Sequence, residues 1–396
     1  MKGRLVHLDC LRGAAALLVC VSHLRAFLLV PFSQLPAPSF WVHLCYFVSG
    51  LGHQSVMVFF VLSGYLVGGS VLTARQTGNW SWSNYGLRRM SRLWMVLLPA
   101  LLLTLIWDQL GAQRTPEAYL GKLGAIYLSG PDVHAPADWR LAAFAGNMFF
   151  LQTLVVNCYG TNGPLWSLAN EFWYYLLFPL LLAALLPVPG GGIARRVACV
   201  FLLVGAFCLL PSGLLRDGLV WLMGAGVFVV TQNWRISSWM AHPLWLYAGG
   251  LAALGVLTAS RMEVLGRADN LLLGAGFAVL VAALAVRGQA AGGAGVRFRL
   301  AGFAPYSQLA VAASEISYTL YLVHFPAMSF LFFTCFGGKR LLPGPTAGVW
   351  FVCVLAGTIA YAAVVWWLFE RNTDRFRKWV ESLTKLGKES PAQLNK

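Results

Sequence analysis

Long apolar stretches separated by short polar or charged segments run through this chain of 396 residues. A helix needs about 20 apolar residues to cross a bilayer, and turn signals between the stretches give the boundaries of ten candidate spans. The pattern therefore predicts an all-α integral membrane protein. The ten spans are Leu5 to Val30, Trp41 to Leu72, Leu93 to Leu110, Pro164 to Leu186, Val197 to Pro211, Leu214 to Val230, Pro243 to Ala259, Asn270 to Val286, Leu309 to Phe336 and Ala347 to Phe369.

The composition agrees with this pattern. Hydrophobic residues make up 58% of the chain and charged residues only 11%, whereas a soluble domain is about 25% charged. The formal net charge of +15 does not indicate nucleic-acid binding, because the basic residues lie between apolar stretches and form no contiguous basic domain.

The distribution of basic residues predicts the orientation in the membrane. Ten spans place both termini on one side, and nineteen of the 29 Lys and Arg residues then fall on that side against nine on the other, with Arg12 inside a helix. By the positive-inside rule both termini are cytoplasmic. We expect a membrane domain over residues 1–370 and a polar, partly disordered cytoplasmic tail over residues 371–396.

Two other features of the chain bear on this scheme. Lys2 and Arg4 before an apolar stretch suggest a signal peptide, but the stretch contains ionisable residues and lacks a cleavage site, so a first spanning helix is the better interpretation. The longest outer segment, Gly111 to Gly163, is predicted to cap an outward-facing cavity.

The eight cysteines form no CxxC pair and lie mostly within apolar stretches, which is typical of packing residues. A disulfide between the outward-facing Cys45 and Cys158 stays open as an alternative. The sequence predicts no metal site and no bound cofactor.

Ionisable groups inside a spanning helix are costly and therefore mark functional candidates. Arg12 and His23 are eleven residues apart, or three turns plus about 20 degrees, so they share one face of the first helix roughly 16 Å apart. Asp9 lies one turn before Arg12 and can pair with it. The run from Gly13 to Ala16 gives the helix a smooth surface for a close neighbour. The alternative for His23 is a core histidine bonded to a neighbouring backbone.

A second polar group opens the fourth span. Ser167, Asn170, Glu171 and Tyr174 follow helical spacing and form a stripe inside the bilayer. Glu171 lies about 10 Å from the outer end of its helix, at a depth similar to that of His23, so the two groups are expected to meet. Alternatively, Glu171 pairs with a structural arginine.

A third group, Arg88, Arg89 and Arg92, precedes the third span. Such a group serves either as a topology signal or as a binding site for phosphates, which suit the guanidinium fork.

Along the ninth span, Ser314, Ser317, Tyr321 and His324 share one face with helical spacing. These side chains either line the same cavity or satisfy one another.

Five strings in the chain resemble motifs of the membrane-bound acyltransferase 3 family, in the same order. In the family's first motif an Arg and a His are separated by ten residues, as Arg12 and His23 are here. The strings are LDCLRGAAALLVCVSH at the N-terminus, GHQSVMVFFVLSGYLV from Gly52, RRMSRLWMVLLP from Arg88, GPLWSLANEFWYYLLFP from Gly163 and SYTLYLVHFP from Ser317.

The resemblance implies an O-acyltransferase of ten helices in the bacterial inner membrane. Such an enzyme takes acetyl or a related acyl group from cytoplasmic acyl-coenzyme A. The acceptor is a hydroxyl of O-antigen, exopolysaccharide, Nod factor, peptidoglycan or an antibiotic. His23 would be the essential histidine, Arg12 its companion, and Arg88 and Arg92 would lie on the donor side.

The chain departs from the family pattern in two places. Cys10 stands where the motif often has Gly, and Met57 where many members have an acid, which puts an acceptor contact at that position in doubt. We find no SGNH domain of the kind fused to some members, so a separate protein is expected to act in its place, unless none is needed.

Two chemical routes and one different function follow from these residues. His23 can remove the proton of the acceptor hydroxyl, with Glu171 orienting it, or it can carry the acyl group itself. In the rival interpretation, Arg12 and His23 are a relay in a proton-coupled transporter. No inverted repeat is visible in the sequence to support the transporter.

Overall fold

The computed structural model describes residues 5–121, 136–186, 192–293 and 304–386 of the chain. These residues form fifteen α-helices and no β-strand. The helices are α1 (Val6–Leu28), α2 (Phe40–Ser49), α3 (Gly52–Ser63), α4 (Gly69–Gln76), α5 (Trp82–Arg114), α6 (Leu141–Met148), α7 (Leu165–Leu185), α8 (Ile193–Leu209), α9 (Ser212–Gln232), α10 (Trp234–Met240), α11 (Leu244–Arg261), α12 (Asp269–Gly293), α13 (Ala304–Cys335), α14 (Pro345–Leu368) and α15 (Thr373–Leu386).

Within the described ranges, eight helical segments are long and apolar enough to cross a membrane. The number rises to nine if the pair α10 and α11, bent by 79°, is one broken span. Nine of the ten predicted spans each coincide with one helix, and the second, Trp41 to Leu72, runs over α2, α3, the π-helical turn Gly64–Gly68 and the start of α4. Helix α8, at the fifth predicted span, has only 17 residues. The chain is therefore a multi-pass helical membrane protein, and the count of ten stays a prediction.

Helices α1 and α13 pack side by side, which brings the first and ninth predicted spans together. The contact is close because Gly13 faces α13. A Cβ atom at position 13 would lie only 2.6 Å from the Cβ atom of Ala313. The expectation that the small residues of α1 admit a close neighbour is thus confirmed, and this helix pair carries both His23 and His324.

A second close crossing joins α3 and the π-helical turn Gly64–Gly68 to α9. A Cβ atom at Gly64 would overlap the carbonyl oxygen of Trp221, and one at Gly224 would overlap that of Val61. Glycine on both sides is what lets the two backbones approach, as in other membrane helix pairs.

Pro326 interrupts the hydrogen-bond ladder of α13 near His324. A proline has no N–H, so the carbonyl four residues earlier, that of Leu322, has no helical donor. Asn162 supplies one, because its Nδ2 donates to Leu322 O at 2.9 Å and also to Thr104 Oγ1 at 3.1 Å. Asn162 is completely buried. It thereby links the segment before α7 to α5 and α13.

Pro179 has the same effect in α7. The carbonyl of Tyr175 loses its helical partner, and the hydroxyl of Tyr85 in α5 donates to it at 2.9 Å. In membrane helices such freed carbonyls must find another donor, since lipid offers none.

Residues 136–163, the larger described part of the predicted cap, are anchored to α5 by Asp108. This buried carboxylate accepts bonds from Thr161 N at 2.8 Å, Thr161 Oγ1 at 2.6 Å and Trp139 Nε1 at 3.0 Å. Gly160 before Thr161 has a φ of 55°, in the left-handed region that favours glycine. Residues 122–135 of the predicted cap lie outside the described residues.

Two further predictions concern the tail and the cysteines. Within the predicted cytoplasmic tail, residues Thr373–Leu386 form α15, and residues 387–396 lie outside the described residues, so the partial disorder of the tail stays a prediction. Cys45 and Cys158 are both free thiols, so the alternative of a disulfide between them is wrong.

Candidate functional site

Two cavities open toward opposite ends of the helical bundle. The first, called the Arg12 cavity, measures about 130 Å³ and is lined among others by Arg12, Arg89, Arg92, Glu171, Ser317 and Tyr321. The second, called the His23 cavity, measures about 600 Å³ and is lined among others by His23, Arg25, His53, Asn170, Asp217 and Tyr321.

The two cavities meet at Val56 and Tyr321, which line both. Arg12 and His23 both lie on α1, one in each cavity, at positions about 16 Å apart along the helix. A substrate in one cavity and a substrate in the other would therefore approach each other from opposite ends, at the level of Tyr321.

His23 is hydrogen-bonded to a second histidine. Its Nδ1 lies 2.8 Å from His324 Nε2, and His324 Nδ1 lies 2.8 Å from the carbonyl oxygen of Leu320. The carbonyl can only accept, so His324 Nδ1 carries the proton and, in the neutral ring, His324 Nε2 is the acceptor. His23 must then donate through Nδ1. Its Nε2 is left as a basic nitrogen for another partner.

The surroundings hold these rings in place. The two imidazole rings are nearly parallel, with 15° between their planes and 5.1 Å between their centroids, and the ring of Phe325 lies edge-on to His23 at 5.0 Å. His324 is completely buried. On the same face of α13, Ser314 donates to Asp9 Oδ1 at 3.0 Å. Asp9 is thus bonded to α13, and this contact was not part of the predicted pairing of Asp9 with Arg12.

The Arg12 cavity concentrates positive charge. The guanidinium of Arg12 lies within electrostatic range of Arg92, Glu370 and Glu171. Arg89 donates to Ser70 Oγ at 2.9 Å. Arg88, the third arginine of the predicted cluster, is exposed and is not among the residues that line the cavity.

Glu171 belongs to the Arg12 cavity and not to the neighbourhood of His23. Its carboxylate accepts a hydrogen bond of 2.5 Å from the hydroxyl of Tyr175, one turn further along α7. The residue that orients His23 is His324 on α13. The prediction that Glu171 contacts His23 is therefore wrong, because the two side chains line different cavities.

The polar stripe of α7 divides between the cavities. Ser167 Oγ lies 2.6 Å from Tyr321 OH in the Arg12 cavity. Asn170 lines the His23 cavity. Tyr174 donates to the carbonyl oxygen of Leu214 at 2.8 Å and lines neither of the two cavities. Its role is to join α7 to α9.

On α13, Ser317 lines the Arg12 cavity while its Oγ donates to Ser314 O at 2.7 Å. Its neighbours on this face, Tyr321 and His324, bond to α7 and α1 respectively. The shared face predicted for these residues is thus directed at both cavities.

Other polar residues of the His23 cavity were not among the predicted site residues. His53 Nε2 lies 2.7 Å from Asn270 Oδ1, and Asn270 Nδ2 donates to Asp217 Oδ1 at 2.7 Å. His53 and Asp217 line the cavity. Asp217 is buried within a spanning helix, so the cost of burying an ionisable group was a signal for it as it was for His23. His53 is exposed near the start of α3 and carried no such signal.

The fold and the site together define the class of protein. It is a multi-pass helical membrane protein with two facing cavities, one cationic and one carrying a histidine pair. A family model described as an acyltransferase domain, Acyl_transf_3, matches residues 5–367. The chain therefore belongs to the acyltransferase 3 family and is a membrane acyltransferase. Searches of curated proteins and of solved structures found no significant match.

Proposed function

We propose that this protein is an O-acyltransferase of the bacterial inner membrane that moves an acyl group, acetyl above all, from acyl-coenzyme A to a hydroxyl of a carbohydrate or glycolipid. The observation that carries the proposal is the chain of hydrogen bonds from His23 through His324 to Leu320 O. It leaves a basic nitrogen of His23 free beside a cavity that meets a cationic one.

The donor would enter the Arg12 cavity. Its phosphates would bind Arg89 and Arg92, since guanidinium groups form strong charge-assisted bonds with phosphate. The arm of the coenzyme would then extend past Arg12 along α1 toward Tyr321. The start of α1 and Glu370, two residues after the end of α14, lie at this end, because Arg12 is within electrostatic range of Glu370. With the termini cytoplasmic, the donor is drawn from the cytoplasm.

The acceptor would enter the larger His23 cavity from the other side. Trp166 offers an aromatic face to a sugar ring, while Asn170 and His53 offer polar groups for its hydroxyls. A mixture of aromatic surface and a few directed polar groups is typical of small-molecule sites.

In the reaction, His23 Nε2 takes the proton of the acceptor hydroxyl as its oxygen attacks the thioester carbonyl. The new C–O bond forms, and the tetrahedral intermediate collapses by breaking the C–S bond. The imidazolium then returns its proton to the departing thiolate of coenzyme A. The bond to His324 fixes the ring, so that Nε2 is the position that takes up the proton and returns it. We favour this direct transfer because His23 lines the acceptor's cavity.

The test is transfer by purified protein given radiolabelled acetyl-coenzyme A and a polysaccharide or glycolipid extract from its own host. His23→Ala should abolish transfer while the protein still inserts in membranes. His43→Ala is the matched control, because His43 is an exposed histidine that lines neither cavity and whose ring nitrogen lies 3.0 Å from the carbonyl oxygen of Ser39, just before α2. Equal activity of wild type and His23→Ala would refute the mechanism. Uptake of label into vesicles without acyl transfer would favour the transporter.

A further inference from the structure

Three arginines gather at the end of the bundle where the His23 cavity opens. Arg25, Arg261 and Arg340 come from α1, the end of α11 and the connection between α13 and α14. Arg25 is within electrostatic range of both other guanidinium groups. The phenol of Tyr46 also interacts electrostatically with Arg25, and its ring centroid lies 5.5 Å from the Arg25 guanidinium carbon.

The fold holds the three arginines together by specific contacts. Leu341 N donates to Leu28 O at 2.8 Å and Val30 N to Leu341 O at 3.1 Å, which fixes the neighbouring Arg340 beside the end of α1. Arg261 fits against Gly50, where a Cβ atom would stand 2.6 Å from the guanidinium nitrogen. The arginine cluster is thus part of the packing and not a chance meeting of surface side chains.

The positive charge of this cluster is not balanced within the described ranges. None of the three arginines has a carboxylate partner or a side-chain hydrogen bond there. The Nε atoms of all three are buried without an acceptor. A buried guanidinium donor without an acceptor is costly, and like charges held together raise that cost. An anion bound between the three arginines would accept hydrogen bonds from their Nε–H groups and would balance their positive charge.

We propose that Arg25, Arg261 and Arg340 form an anion-binding site for a phosphate or diphosphate group on the acyl acceptor. Planar guanidinium forks match the oxygens of such a group. Arg25 and Gly50 also line the His23 cavity, so an acceptor held there by its anionic group presents its hydroxyls toward His23. The assignment of the anion to the acceptor rests on the proposed function, whereas the binding site itself does not.

The first test is binding of inorganic diphosphate to the purified full chain in detergent, measured by isothermal calorimetry. Arg340→Gln and Arg261→Gln should each weaken binding at least tenfold, and Arg340→Lys should restore part of it. Arg267→Gln is the control, because Arg267 is exposed in the connection that follows α11. His23→Ala should bind diphosphate as tightly as wild type. No binding to wild type, or equal binding by all variants, would overturn the site.

The second test identifies the source of the anion. Binding is repeated in nanodiscs of phosphatidylcholine and of phosphatidylglycerol. Equal affinity in both supports an acceptor group, and loss of diphosphate binding in phosphatidylglycerol would overturn that assignment in favour of a lipid headgroup. Diphosphate should also inhibit transfer by wild type more strongly than transfer by Arg340→Gln. If wild type binds diphosphate but transfers no acyl group, the binding site stands and the proposed function fails.

Discussion

The Nδ1 atom of His23 on α1 lies 2.8 Å from the Nε2 atom of His324 on α13. His324 in turn is fixed by the carbonyl of Leu320, so the pair has a single neutral arrangement of protons, with the free lone pair on His23 Nε2. His324 therefore acts as a positioning residue, and His23 is the group available to the substrate.

His324 should be replaceable by a residue that still accepts a hydrogen bond. His324→Leu removes the acceptor for His23 Nδ1, so both tautomers of His23 become populated and kcat should fall at least tenfold with little change in KM. His324→Gln keeps an amide oxygen and should recover part of the activity. Steady-state kinetics of both variants provide the measurement. Equal activity of the Leu and Gln variants would show that His324 serves packing alone.

The cationic cavity predicts a difference between neighbouring arginines. Arg92→Ala should raise the KM for acyl-coenzyme A about tenfold or more, because a charge-assisted contact with phosphate contributes about 1.5–3 kcal/mol. Arg88→Ala, the exposed neighbour, is the control and should leave this KM unchanged. Turnover at saturating donor should fall far less in Arg92→Ala than in His23→Ala. An unchanged donor KM in Arg92→Ala would show that these arginines act only as topology signals and do not bind the phosphates of the donor.

Asn162 and Pro326 should show strong energetic coupling. Asn162→Ala leaves Leu322 O without a donor and should lower the free energy of unfolding by about 1–3 kcal/mol. In the Pro326→Ala background, the new N–H of residue 326 can bond to Leu322 O, so the same Asn162 substitution should cost less. Unfolding in detergent, followed by circular dichroism, measures all four members of the cycle. A cost that is identical in both backgrounds would contradict the proline explanation.

The orientation of the chain is testable with membrane-impermeant thiol reagents. In a variant whose exposed native cysteines are replaced by serine, Leu141→Cys should be labelled from outside the cell, since Leu141 is 80% exposed at the start of α6. Lys378→Cys in α15 should be labelled only after the membrane is opened. The reverse pattern would place the termini outside and invert the assignment of the donor and acceptor cavities.

The sequence by itself predicted much of this architecture, because a bilayer imposes one rule on every span. Apolar stretches near 20 residues must be helical, and each predicted span falls on helical structure, the second of them on α2, α3 and α4 in succession. The same cost of burying polar groups singled out Arg12, His23, Glu171 and His324. Helical spacing also placed Arg12 and His23 on one face, and they line the two cavities.

Only the tertiary structure decided which of these groups meet. Depth along a helix is readable from the sequence, but the neighbour at that depth depends on which helices pack and on their rotation. Glu171 and His23 have similar predicted depths, yet they line different cavities. The partner of His23 is His324, because α13 packs along α1 at Gly13. The grouping of Arg25, Arg261 and Arg340 from distant segments arises from the same packing and has no local signal in the sequence.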